Sequence, residues 1–154
     1  MKKKVIYPGT PNRNTTDKMV YNLQNKDKYF IDLLFKDSLR EIGIKKLNDE
    51  HYRFLPAGVP NYNLRYYNAR SGGSKLDLHI DNGIPYQGNY TMKMQWMFIL
   101  DDFRENNGCT VVAPGSHQSG TYTNRNLTNL TPIIANAGDV IVLDSRLWHG
   151  SNEN

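Results

Sequence analysis

From about residue 62 onward this chain is cut into short apolar runs by glycine, proline and asparagine, and that punctuation limits what it can fold into. The runs are residues 62–67, 75–81, 91–100, 109–113, 132–135 and 140–144, with one more around His149. Between them lie Gly72-Gly73, Asn82-Gly83 with Pro85, Asn106-Asn107-Gly108, Pro114-Gly115 and Asn136-Ala137-Gly138. Each run is too short for a buried helix, and turn residues end it, so each reads as a strand. Many short strands joined by such turns make an all-β sandwich or barrel. The stretch 120–130 is polar and aperiodic and is expected to be a surface loop.

One segment ahead of the strands departs from this pattern. Phe30, Ile31, Leu33, Leu34, Leu39, Ile42 and Ile44 recur near helical spacing, which predicts a helix over about 28–46. Asp27 is its N-cap, and Gly43 ends it or sits in its last turn. This helix is expected to cover one sheet. Residues 1–26 read as an extended lead-in, and 27–154 as one domain without internal repeats.

Chemistry concentrates in Leu76-Asp77-Leu78-His79-Ile80-Asp81. In a strand, residues i and i+2 leave the same face, so the His79 imidazole and the Asp81 carboxylate stand side by side. His149, in Leu147-Trp148-His149-Gly150-Ser151, offers a third donor. Two histidines and one carboxylate on one face of a metal suit iron(II) with open positions. Zinc accepts the same donors, but the chain has no His-Glu-x-x-His helix of the zinc hydrolases. His117, in a Pro-Gly-Ser-His turn, is expected to be structural, and His51 receives no metal role.

Composition narrows the function classes. The net charge of +4 comes from dispersed lysines and arginines, not a basic stripe, which argues against nucleic acid as a partner. No run is long and apolar enough for a transmembrane helix, and Val5-Ile6-Tyr7 before Pro8 is too short for a signal peptide. Cys109 is the single cysteine, so no internal disulfide forms and a cytoplasmic setting is expected. It opens an apolar strand and reads as a small buried side chain.

The order of motifs resembles the phytanoyl-CoA dioxygenase family. The matching residues are His79-Ile80-Asp81, Asn106-Asn107-Gly108-Cys109, Ala113-Pro114-Gly115-Ser116-His117, Ala137-Gly138-Asp139-Val140 and Asp144-Ser145-Arg146-Leu147-Trp148-His149-Gly150-Ser151. The resemblance implies a double-stranded β-helix (jelly roll, cupin-like), mainly β with an N-terminal helix. It implies an oxidoreductase that uses Fe(II), 2-oxoglutarate as cosubstrate and O2 to hydroxylate a small organic molecule. It also implies His79, Asp81 and His149 as iron ligands and catalytic centre, with Trp96 against the cosubstrate. Related halogenases lack the carboxylate, so Asp81 favours hydroxylation.

The family's arginine for the distal carboxylate of 2-oxoglutarate sits on the last strand of the β-helix, after the second histidine. This sequence ends five residues after His149. A C-terminally incomplete member, with that last strand missing, is therefore expected. Arg65 and Arg146 are the arginines expected to approach the cosubstrate, the alternative for each being a surface ion pair worth little. Tyr62, Tyr66 and Tyr67 read as sheet packing. The competing functional reading is a non-catalytic cupin-like domain that binds metal or a small ligand.

Overall fold

Antiparallel pairing follows the apolar runs closely. The computed structural model describes residues 18–20, 23–53, 69–73, 75–124 and 126–153. Strand β1 (Lys18–Val20) is followed by helices α1 (Lys28–Leu34) and α2 (Asp37–Leu47), then by β2 (Ala69–Ser71), β3 (Leu76–His79) and β4 (Met94–Phe98). Strands β5 (Thr110–Val112), β6 (Thr131–Pro132), β7 (Val140–Asp144) and β8 (His149–Ser151) complete the order. The expected strand over 62–67, with Tyr62, Arg65, Tyr66 and Tyr67, lies outside the described residues.

One expectation is corrected near the N-terminus. Within residues 1–26, β1 pairs antiparallel with β2, Val20 opposite Ala69. The single helix over 28–46 is divided at Phe35 and Lys36, where Lys36 is extended (φ −59°, ψ 134°). On one continuous helix Leu34 and Leu39 would lie about 140° apart. The break frees each half to set its own apolar side. Asp27 caps α1 as expected, its side chain accepting from the Tyr29 N–H at 2.8 Å. Gly43 lies inside α2, which ends at left-handed Asn48. A Cβ on Gly43 would come within 2.7 Å of the Tyr52 ring, which explains the glycine better than a helix end does.

The strands of the β-domain form a four-stranded sheet, β3-β8-β5-β6, and a pair, β4-β7. Antiparallel partners share a face, so His79 opposite His149, and His149 opposite Val112, all point to one side. Thr110 is on that side too, two residues from Val112, and its hydroxyl meets the Met97 sulfur of β4 at 3.8 Å. The histidines therefore face the space between the two sheets. On β4, Gln95 and Met97 face the same space, whereas Met94, Trp96 and Phe98 turn outward. Leu143, opposite Gln95, with Ile99, Cys109 and Val112 fills the interior. Each such buried aliphatic side chain contributes roughly 1.5–3 kcal/mol. Cys109 is fully buried, and burial pushes its thiol up, as suits a packing residue.

Some strands are shorter than the sequence suggests. The run 132–135 yields only Thr131–Pro132, after which Ala135 forms a single bridge with Phe103. Among the described residues no helix is long and apolar enough to cross a membrane.

Candidate metal centre

His79, Asp81 and His149 each offer one donor atom, and these atoms lie within 4.8 Å of one another. The Asp81 carboxylate bridges the pair, 3.6 Å from His79 Nε2 through one oxygen and 3.7 Å from His149 Nε2 through the other. The two imidazoles lie with centroids 4.3 Å apart. Donors each about 2.1 Å from one ion are separated by roughly 3–4.2 Å, and both carboxylate–imidazole distances fall in that range.

The tautomers are fixed by the backbone. His79 Nδ1 lies 2.8 Å from the Asp77 carbonyl, and His149 Nδ1 lies 2.8 Å from the Leu147 carbonyl. A carbonyl oxygen can only accept, so both Nδ1 atoms carry a proton and both Nε2 atoms are turned toward Asp81. His149 is 3% exposed, and its Nε2 is buried with no hydrogen-bond partner. Burial pushes the His149 pKa down, and the adjacent His79 adds to this, against the opposing pull of the Leu147 carbonyl and Asp81. The balance favours the neutral ring, the state a ligand requires.

Asp81 is placed from β7's end, not by β3. The strand stops at His79, and the backbone N–H groups of Asp81 and Asn82 both donate to the Ser145 carbonyl, at 2.9 and 3.0 Å. Lys93 Nζ donates to the Asp81 carbonyl at 2.7 Å. The i, i+2 argument thus gives the right neighbours, but a tertiary tether holds the second. His149 is held in turn by the Pro-Gly-Ser-His turn. Ser116 Oγ accepts from the Trp148 N–H at 2.8 Å, and the Ala113 N–H donates to the Trp148 carbonyl at 2.9 Å. Ser116, not His117, is the residue of that motif that supports the site. His117 is outside the cluster, in a 3-10 turn beyond Gly115.

The three residues expected at the cosubstrate fare differently. Arg65 is outside the described residues. Trp96 is on the outward face of β4, because strand alternation gives the inward face to Gln95 and Met97. Arg146 is 4% exposed and fully engaged elsewhere. Its Nε and Nη2 clamp Asp144 at 3.0 and 2.8 Å, Nη1 donates to the Gly88 carbonyl at 3.0 Å, and the guanidinium lies 4.2 Å over the Tyr86 ring. Burial alone would raise the Asp144 carboxyl, but hydrogen bonds from Arg146 and Thr91, with the arginine's charge, bring it below its ordinary value. Arg146 therefore pins the 86–91 loop to the β7–β8 corner and is not free for a carboxylate ligand.

Sequence reading missed Lys93, Ser116 and Ser145, which act through contacts between segments distant in sequence.

A model of the family described as phytanoyl-CoA dioxygenase (PhyH) matches residues 3–154. The dioxygenase af480 of Aspergillus fumigatus is 29% identical over 148 residues, which cover 92% of this chain and 45% of that protein. The uncharacterized protein Mb1539 of Mycobacterium bovis is 39% identical over 70 residues, 42% of this chain and 24% of that protein. Among solved structures, EctD from S. alaskensis in its apoform aligns with TM-score 0.66 at 20% identity over 97% of this chain and 55% of that one. EvdMO1 aligns with TM-score 0.60 at 22% identity over 88% and 31%. The likeness to these structures is one of fold, the jelly roll expected from the sequence. The chain spans less than half the length of the curated relatives it matches.

Proposed function

From the premise that this chain belongs to the phytanoyl-CoA dioxygenase family, we propose that it is the iron(II)- and 2-oxoglutarate-dependent catalytic region of a dioxygenase that hydroxylates a small organic molecule. The observation that carries the proposal is the buried, unpartnered Nε2 of His149, converging with His79 Nε2 on the Asp81 carboxylate. A buried neutral nitrogen without a partner costs free energy that a bound cation recovers.

The residues fit such an ion. His79 and His149 give neutral nitrogen donors, and Asp81 gives one negative oxygen, a set that suits iron(II) with positions left open. When bound there, iron(II) would supply the redox chemistry that couples oxidation of 2-oxoglutarate by O2 to hydroxylation. The chain's own task is to orient and to exclude water. Asp77 and Leu147 carbonyls fix the two ring planes, and Ser145 with Lys93 fixes Asp81. The facing sheets keep the open side of the triad between them. The reading includes a cytoplasmic setting, in keeping with a lone cysteine, and a small-molecule partner, not nucleic acid.

Anaerobic titration is expected to give one Fe(II) per chain. Replacing His79, Asp81 or His149 by Ala should abolish that binding, and His117→Ala should leave it within about twofold. Succinate should form from 2-oxoglutarate only with both iron and O2. Hydrolysis supported by zinc without O2 would overturn the proposal. Metal and 2-oxoglutarate binding without turnover, in the presence of substrate, would support the non-catalytic cupin-like reading instead.

A further inference from the structure

Lys93, Gln95 and Met97 form one inward row along β4 and the residue before it. At one end Lys93 Nζ reaches the Asp81 carbonyl at 2.7 Å, and at the other Met97 Sδ meets Thr110 of the histidine-bearing sheet at 3.8 Å. Gln95 lies between those two contacts, on the face of β4 turned toward the histidine-bearing sheet. Its Oε1 is buried without a hydrogen-bond partner, as is His149 Nε2. Leu143, its strand partner, is buried and apolar and its side chain offers that oxygen no donor. A glutamine in such a row is costly unless something polar meets it.

Gln95 has no counterpart in the functional reading above, and this inference rests on that reading. We propose that the Gln95 carboxamide is a binding residue for the 2-oxo acid, donating its Nε2–H to the carboxylate at the metal-chelating end of the cosubstrate. The chemistry favours that end. A 2-oxo acid occupying the open metal positions brings a desolvated carboxylate into the space between the sheets, where it needs a donor. The two ends of a carboxamide exchange by a half-turn about its terminal torsion, so the group that now points an unmatched oxygen inward can present N–H instead. The arginines of the neighbouring turns do not compete for this role. Arg146 is held by Asp144 and Gly88, and Arg104 by Asp102, Asn136 and the Ala135 carbonyl.

The test is anaerobic calorimetry of 2-oxoglutarate binding to the Mn(II)-loaded chain, with Mn(II) affinity measured separately. Gln95→Met keeps the volume and removes the polar end, and is expected to weaken 2-oxoglutarate binding about ten- to a hundredfold, the effect of losing a hydrogen bond to a charged group. Gln95→Glu sets a carboxylate against a carboxylate and should weaken it further. Mn(II) affinity should stay within about threefold in Gln95→Met, which also reports that the variant is folded. If both variants bind 2-oxoglutarate as tightly as the parent, the inference is wrong while the functional reading stands. If the parent itself binds Mn(II) but no 2-oxoglutarate, the functional reading has failed and this inference with it. Should Gln95→Met fail to hold Mn(II), the Gln95→Glu result decides. Binding of 2-oxoglutarate at parental strength by Gln95→Glu overturns the inference, and selective loss upholds it.

Discussion

Replacing Arg146 by Met should destabilise the fold while sparing 2-oxoglutarate binding. The side chains of Arg146 and Asp144 are only 5% and 17% exposed, and the arginine clamps both carboxylate oxygens. Removing one partner of a buried pair costs about 3–5 kcal/mol, because the other charge is left without compensation. Thr91 still donates to Asp144 Oδ2 at 2.8 Å, which places the expected loss near the lower end, about 3 kcal/mol. For a chain of this length, each kcal/mol shifts Tm by roughly 2–4 °C, so Tm should fall by about 6–12 °C. The double variant Asp144→Leu with Arg146→Met should regain much of that loss, since no charge is then stranded. Thermal denaturation followed by circular dichroism measures the stability, and calorimetry on the Mn(II)-loaded protein measures the cosubstrate. Unchanged Tm with lost 2-oxoglutarate affinity would refute the structural role and return Arg146 to the cosubstrate.

The same carboxylate sets an acid dependence. Asp144 titrates below its ordinary value, near 3.9, so its contribution is complete above that pH and is lost as the pH falls through the lower, folded-state value. Asp144→Asn should therefore be less stable at pH 7 and lose less stability on acidification below about pH 4, read from urea midpoints across that range. Gly150→Ala tests a close approach of β8 to β3. The new Cβ would stand 2.5 Å from the Leu76 carbonyl oxygen, and relieving that contact must move backbone beside His149. A stability loss of about 1–3 kcal/mol with weaker Fe(II) binding is expected. A variant that matches the parent in both would show that the two strands can separate freely.

The sequence by itself determined the strand-rich class, the positions of most turns and the three residues that cluster at the candidate metal centre. Val140–Asp144 and Thr110–Val112 form strands where apolar runs sit between turn residues, because local pattern and turn chemistry act over a few bonds. His79 and Asp81 are two residues apart, so their proximity is a local property too. Tertiary structure decided what surrounds them. Arg146 looks free in a sequence, but its fate depends on Asp144, Gly88 and Tyr86, the last two brought up from some sixty residues away. Trp96 and Gln95 are adjacent in the chain, and only the contact between Met97 and Thr110 says which of the two faces the histidine-bearing sheet. The division of the helix at Lys36 likewise is not marked by periodicity alone. Short-range geometry is written residue by residue, whereas a side chain's partner is chosen by whichever segment the fold lays against it.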